Sequence, residues 1–316
     1  MNEHSGRSPL PGTLAERLRQ GRFVMTAELV PPVSCDAQEF LHKAAALKGL
    51  ADAVNVTDGA SARAHMSALA GAGLLKQAGI EPILQMTCRD KNRLALQSEM
   101  MGAAALGIRN LLLLSGDDPK AGDQPDTKPV FDVDSKTLIE TARRLRDEGT
   151  LPTGRKVAGH ADFFIGAADT PIDPPAGWQP NALAAKISAG AQFAQTQFCM
   201  DAGIVRRYAA RLAEHEATRG FYLLIGIAPL RAARSARWMK ENLFGTIIAD
   251  AYIERLEKAG DGAAAAAEGV RIAVELIEEL VTIPGVAGVH IMAPGNDAAI
   301  PETIAAARAR VQTAAR

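Results

Sequence analysis

Eight apolar, β-branched runs recur along the chain with helical patterns between them, and no other feature restricts the possible folds as strongly. They are FVMTAEL from Phe23, AVNVTD from Ala53, PILQMTCR from Pro82, NLLLLSGD from Asn110, DFFIGAA from Asp162, QFAQTQF from Gln192, FYLLIGIAPL from Phe221 and GVHIMAP from Gly288. The first four start roughly 30 residues apart, the length of one βαβ unit. Eight β/α units predict an α/β protein, a closed (β/α)8 TIM barrel forming a single domain over 23–316, with 1–22 as an N-terminal extension and helix. A doubly wound sheet would need a Gly-rich dinucleotide turn after an early strand. The nearest candidate, GAGLLK at Gly71 to Lys76, falls inside a helical pattern and lacks the third glycine. The segment GAAAAAEGVRIAVELIEELV places Val270, Ala273, Val274, Ile277 and Leu280 on one apolar face and predicts a packing helix, as does the C-terminal PETIAAARARVQTAAR.

Composition narrows the function. Lys plus Arg total 35 against 36 for Asp plus Glu, so no global positive field gathers nucleic acid or anionic lipid. The three cysteines, Cys35, Cys88 and Cys199, have no C-x-x-C spacing and suggest small buried thiols, not a disulfide framework or zinc ribbon. The N-terminus lacks an apolar signal region, and no stretch approaches about 18 uninterrupted apolar residues. A soluble, cytoplasmic protein is expected, with a homo-oligomer compatible with its near-neutral charge. Two spacings are stretched, DDPKAGDQPDTKPVFDVD after the fourth run and DTPIDPPAGWQPN after the fifth. Both follow a strand's C-terminal end, where barrel chemistry takes place.

The last residues of the runs would converge on that rim: Glu28, then Thr57 and Asp58, then Thr87 and Arg89, then Ser115, Gly116 and Asp117, then Gly166, Gln197, Pro229 and Pro294. These positions include no histidine, no Ser/His/Asp set and no metal-ligand cluster, which argues against a triad or zinc hydrolase and leaves carboxylates as acid and base. Glu28 precedes Leu-Val-Pro-Pro, where an apolar surrounding would raise its pKa towards a general acid's range; a salt-bridging Glu fits the spacing equally well. Asp117, after a very apolar run and a glycine, suits a carboxylate that accepts N–H groups of a heterocycle, or a turn former. Gln197 can donate and accept at once, which suits the amide-like edge of a pterin or nicotinamide.

AELVPP at Ala27 to Pro32, NVTDG at Asn55 to Gly59, LQMTCRDKNRLALQ at Leu84 to Gln97, ALGIRNLLLLSGD at Ala105 to Asp117 and KISAGAQFAQTQF at Lys186 to Phe198 together resemble the methylenetetrahydrofolate reductase family, in the family's order from about Phe23 to Pro294. The loop GDDPKAGDQPDTKPVFDVDS is similar to the compact bacterial form that consists of the catalytic barrel. The resemblance implies an FAD-dependent oxidoreductase of one-carbon metabolism that takes hydride from NADH or NADPH and interconverts 5,10-methylenetetrahydrofolate and 5-methyltetrahydrofolate. By position it implies Glu28 as the general acid, Asp117 as the carboxylate beside flavin and pterin, Gln197 as a pterin contact, and Trp238 or Met239 near the aromatic that stacks on substrate.

For FAD, the resemblance implies contacts at or beside Thr57, Gln85, Arg89, Gly166 and Lys186. Asp58, Thr87, Ser115, Gly116, Ala167 and Gln179 join Asp117 in the same cofactor-binding set. Three positions depart from the family pattern: Gln85 where some members have histidine, Ser115 where some have arginine, and Gln179 where some have aspartate. A flavin-free reductase, a pterin-binding methyltransferase barrel and a non-catalytic partner subunit are the alternatives on the same fold.

Overall fold

The structure, a computed structural model, describes residue 10 and residues 12–314. Eight parallel strands close a barrel: β1 (Val24–Leu29), β2 (Ala53–Val56), β3 (Pro82–Thr87), β4 (Asn110–Leu114), β5 (Phe164–Asp169), β6 (Phe193–Met200), β7 (Tyr222–Ile227) and β9 (Val286–Ile291). Each pairs with the next, and β9 returns to β1 through Val24 opposite Gly288. Every apolar run found in the sequence overlaps one of these strands. A further strand, β8 (Ile247–Ile248), is too short to show a period; it lies outside the barrel, paired with Cys199 and Met200 at the end of β6.

The helices are α1 (Leu14–Arg19), α2 (Ala37–Ala45), α3 (Ala68–Gln77), α4 (Arg93–Ala105), α5 (Ser135–Asp147), α6 (Asn181–Ala189), α7 (Ala202–Glu214), α8 (Ala233–Asn242), α9 (Asp250–Ala259), α10 (Gly262–Leu280) and α11 (Ala299–Ala314). Asp36, Asn92, Asp134 and Asp201 cap α2, α4, α5 and α7 by accepting backbone N–H bonds, which satisfies donors that a helix start leaves open. The apolar face read from the sequence in α10 is buried along its length. Cys88 and Cys199 are buried as expected, and burial pushes their thiols up to about 11 and about 12; Cys35, by contrast, is exposed.

Alternation along the strands divides the apolar side chains into two separate clusters. The larger lies between the barrel and its helices. The smaller takes one residue from each of the first seven strands, Val24, Ala53, Ile83, Leu112, Phe164, Phe193 and Leu224, and seals them with Leu14, Ala15 and Leu18 of α1. Helix α1 therefore plugs the N-terminal end of the barrel. Thr13 and Glu16 start it with a reciprocal capping box.

A buried charge network holds this plug. Arg17 of α1 donates to the carbonyls of Asp52, Leu10 and Gly12. The Asp52 carboxylate accepts from the Met25 N–H at 2.7 Å and from Arg308 of α11 at 2.7 Å, and it lies 3.5 Å from Arg17. Removing one partner from such a network leaves the others charged and buried. Asp52→Ala is expected to lower the unfolding free energy by about 3 to 5 kcal/mol in a denaturant titration; a loss below about 1 kcal/mol would show that the network is not the clasp described.

Candidate active site

Two residues above the apolar plug, the inward positions turn polar. Thr26, Asn55, Gln195 and His290 are all at least 97% buried and bond to one another. The carboxamides of Asn55 and Gln195 pair reciprocally at 2.6 and 3.0 Å. Gln195 Nε2 also lies 3.0 Å from Thr26 Oγ1 and 3.2 Å from His290 Nδ1. Thr26 Oγ1 lies 3.0 Å from the same imidazole nitrogen and 3.2 Å from the Val289 carbonyl. With the amide pair so oriented, a Gln195 N–H faces Nδ1, and the bare nitrogen is assigned there. Nε2 then carries the imidazole hydrogen.

That Nε2 points to Glu28, 3.7 Å from Oε2. Gln85 Nε2 donates to the same oxygen at 3.3 Å. Glu28 Oε1 has no partner among the described residues and is the oxygen left for a ligand. The surroundings of Glu28 are thus polar, contrary to the apolar setting expected from Leu-Val-Pro-Pro. The expectation of a rim without histidine is also corrected: His290 sits within β9, four residues before the Pro294 taken as that strand's end, and reaches the site from inside the barrel. Its signal was a lone histidine at an inward position of an otherwise apolar run.

The remaining rim residues divide by what already engages them. The Asp58 carboxylate accepts from the Thr87 N–H at 2.9 Å and hydroxyl at 3.1 Å and from Lys91 at 3.0 Å, so it ties the end of β2 to the end of β3. Arg89 is 97% buried and forms a bidentate pair with Asp90 at 2.8 and 2.6 Å, plus a bond to the Gly59 carbonyl. Its Nη1, like Thr57 Oγ1, is buried without a partner. Gly116 lets the β4 loop approach the β-carbons of Thr87 and Arg89 closely; Ser115 and Asp117 stand exposed beside it, with Asp117 in the field of Arg89.

Gly166 and Ala167 do not open to the rim. A β-carbon on Gly166 would run into the Phe193 ring, which stacks on Phe164 with centroids 4.8 Å apart, and Ala167 packs outward against the helices. Gln179 and Lys186 line a separate cavity of about 310 Å3 with Trp178, Tyr208 and Asp169. Lys186 donates to the Ala168 carbonyl at 2.6 Å, and its burial, opposed by nearby Asp169, lowers the ammonium's pKa. Burial raises that of Asp169, whose carboxylate accepts from Tyr208 at 2.6 Å.

Gln197 owes its position to an irregularity. The register between β6 and β7 shifts between Gln195 and Phe198, and the Thr196 hydroxyl takes the Gly226 N–H at 2.8 Å in place of a regular ladder bond. Such bulges re-aim side chains beside active sites. Gln197 Oε1 accepts from the Phe198 N–H at 3.0 Å, and Nε2 donates to the Phe244 carbonyl at 3.1 Å. Of the two residues expected near the substrate aromatic, Met239 is corrected to a core residue, 7% exposed, whereas Trp238 is 56% exposed. Among the described residues no group of His, Cys, Asp and Glu is arranged to hold a metal ion.

The family profile described as methylenetetrahydrofolate reductase matches residues 13–308. The chain belongs to that family. It is 29% identical over 217 residues to the 5,10-methylenetetrahydrofolate reductase of Pectobacterium carotovorum subsp. carotovorum, covering 65% of this chain and 63% of that protein. A probable methylenetetrahydrofolate reductase (NADPH) of Caenorhabditis elegans is 26% identical over 171 residues, 52% of this chain and 23% of the relative. The matched stretch is thus under two thirds of each relative's length. An uncharacterized Clostridium thermocellum protein that binds two copies of 5-methyl-5,6,7,8-tetrahydrofolic acid shares the fold, with TM-score 0.62, 12% identity and coverage of 93% of this chain and 97% of that one.

Within the methylenetetrahydrofolate reductase barrel, the rim can be tested for the FAD that the resemblance implies. An anionic pyrophosphate is held by cations or by backbone N–H groups. Asp90 and the Gly59 carbonyl engage Arg89 at Nε and Nη2 and leave Nη1 without a partner, Lys186 is turned onto the Ala168 carbonyl beside Asp169, and Ser115, Gln85 and Gln179 carry no charge. As a set, these residues keep donors for an anion at Thr57, Arg89 and Lys186 and lack charge at the three departing positions. The polar layer under Glu28, in contrast, is complete, and Gln195 is its hub. Gln195→Leu should cost about 1 to 3 kcal/mol for each buried group left without a partner, read by chemical denaturation. A loss under about 0.5 kcal/mol would mean that the layer does not depend on it.

Proposed function

We propose that the chain reduces 5,10-methylenetetrahydrofolate to 5-methyltetrahydrofolate with hydride from NADH or NADPH. The observation that carries this is Glu28, a carboxyl inside the barrel mouth of a family member, with one oxygen accepting from Gln85 and 3.7 Å from His290 and the other without a partner among the described residues. The names of the Pectobacterium and Caenorhabditis relatives support the reaction, and the latter supports NADPH.

The chemistry makes one demand on the protein. In the substrate a methylene bridges two nitrogens in a five-membered ring, and a ring nitrogen leaves poorly unless protonated. Glu28, protonated, donates through its open oxygen. The carbon–nitrogen bond breaks, the bridge carbon becomes an iminium on the other nitrogen, and hydride addition to that carbon yields the methyl group. Each turnover consumes one proton and one hydride. The carboxylate left on Glu28 is stabilised by the N–H groups of Gln85 and His290, which already face Oε2. Gln197 and Asp117 supply an amide edge and a carboxylate for the pterin.

The uncharged Gln85, Ser115 and Gln179, with Arg89 paired to Asp90, make a weak cradle for FAD's pyrophosphate, and this supports direct delivery of hydride from the nicotinamide. Protein purified without added flavin is expected to be colourless and to turn over fully with NADH or NADPH. A stoichiometric flavin released on denaturation, with turnover lost on its removal, would contradict direct transfer and restore the flavin route.

Glu28→Gln keeps the shape of the side chain and removes the acid. Its folate kcat/KM should fall by roughly a hundredfold or more while the affinity for NAD(P)H stays within about twofold. A loss under about tenfold would remove Glu28 from proton donation.

A further inference from the structure

The outer helices of a barrel face water, and several here carry charge on that side: α7 exposes Arg206, Arg207 and Glu214, and α9 exposes Glu254, Glu257 and Lys258. Helix α4 does not. Past Arg93, its outward stripe is Leu94, Ser98, Met101 and Ala105, all exposed and all uncharged, at the three- and four-residue steps that bring side chains onto one side of a helix. An apolar stripe of this kind normally faces the core, but this helix already buries Leu96, Met100 and Ala103 on its inner side. Five of the eight large apolar side chains that stand exposed among the described residues lie on α4 or beside it: Leu94, Met101, Leu106, and Val130 and Phe131, whose N–H groups donate to the Arg89 and Cys88 carbonyls just before the helix. Exposed apolar surface concentrated in one place marks a contact with another molecule.

The two ends of the stripe differ in shape. At one end stands Leu94, 70% exposed. At the other, Met101, Ala104 and Ala105 form one wall of a groove of about 310 Å3, completed by Leu145 of α5 and by Val157 and Ala158 of the segment before β5. Along the helix, Leu94 and Ala105 are about 16 Å apart at 1.5 Å per residue. A two-fold axis through the middle of α4 would set Leu94 of each copy against Ala105 of the other, and Ser98 against Met101, so that both leucines enter alanine-walled grooves at once. Such self-complementarity is what an isologous pair requires.

Charge supports the same partner. Near a two-fold axis each group meets its own copy, so a charge there would face its like; the middle of the stripe has none. The charges that border it are paired within the chain, Lys91 with Glu99, Arg93 with Asp132 and Lys136 with Glu140. The face thus offers nothing to a strongly charged partner and nothing that repels a second copy. We propose that α4 forms a two-fold interface, covered by the α4 of a second copy of this chain running antiparallel to it. This gives a partner to a surface that the reaction proposed for the barrel mouth does not use.

In sedimentation analysis at micromolar concentration, the wild-type chain is expected at twice its mass of 33.3 kDa. Leu94→Glu would bury a charge at both ends of the pair and should raise the dissociation constant roughly a hundredfold or more. Its far-UV circular dichroism should be unchanged, because the side chain makes little contact within its own chain. Val33→Glu, at a side chain 82% exposed elsewhere, should leave the dimer intact. Leu94→Lys and Ala105→Glu should each weaken the pair and, combined in one chain, restore it, since the axis sets these positions against each other. A monomeric wild type would overturn the proposal, and so would a dimer that withstands Leu94→Glu. Loss of the dimer in both single variants without recovery in the double variant would overturn the antiparallel pairing. None of these results depends on folate reduction, which the Glu28 variant tests by itself.

Discussion

Four polar side chains inside the barrel, Thr26, Asn55, Gln195 and His290, are buried with little besides one another to bond, and this constraint organises the site above them. A buried donor or acceptor without a partner costs about 1 to 3 kcal/mol, so the layer tolerates few arrangements. The reciprocal bonds between Asn55 and Gln195 lock two amides together. The Gln195 amide and the Thr26 hydroxyl then decide which imidazole nitrogen is bare, and that choice sets what Glu28 meets. The acid's environment is fixed from beneath, by side chains that never touch a ligand.

The layer depends in turn on the dry plug under it. Helix α1 closes the N-terminal end of the barrel, and seven strands fill the space below the polar residues with one apolar side chain each. The Phe164–Phe193 stack takes the room that Gly166 leaves, so the same glycine that suggested a cofactor approach in the sequence belongs to packing. Along β1, β2, β3 and β6, a step of two residues leads from apolar plug to polar layer to rim. On β1 the step is Val24, Thr26, Glu28; on β2 it is Ala53, Asn55, Thr57; on β3 it is Ile83, Gln85, Thr87.

That two-residue step was open to inspection in the sequence, and so were the eight strands, because burial on both faces makes a barrel strand a continuous apolar run. Glu28, Asp58, Arg89 and Gln197 were identified as strand-end residues for the same reason. What the pattern did not carry was which partner each of them has. His290 was overlooked because the rim was read from the last residues of each run, whereas it acts from within the strand. The β6 bulge depends on a hydroxyl, Thr196, replacing a ladder bond, and no periodicity marks it. Asp58 and Arg89 have the residue types of ligand contacts, but Lys91 and Asp90, only a few positions away in space, engage their charges. Resemblance transfers residue types by position, and it is silent on such local pairings.

The imidazole of His290 gives the most direct access to this account, because its hydrogen reports the orientation of the whole layer. In nitrogen-15 NMR of the folded protein, the neutral imidazole is expected to carry its hydrogen on Nε2, with Nδ1 bare towards Gln195 and Thr26. Glu28→Gln should perturb the Nε2 resonance and leave Nδ1 nearly unmoved. A hydrogen found on Nδ1 would mean that it is donated to the Thr26 hydroxyl, whose own hydrogen goes to the Val289 carbonyl, and that His290 presents a lone pair to Glu28. Glu28 would then lack one of the two N–H groups that face its carboxylate, contradicting the arrangement from which its role as proton donor is derived.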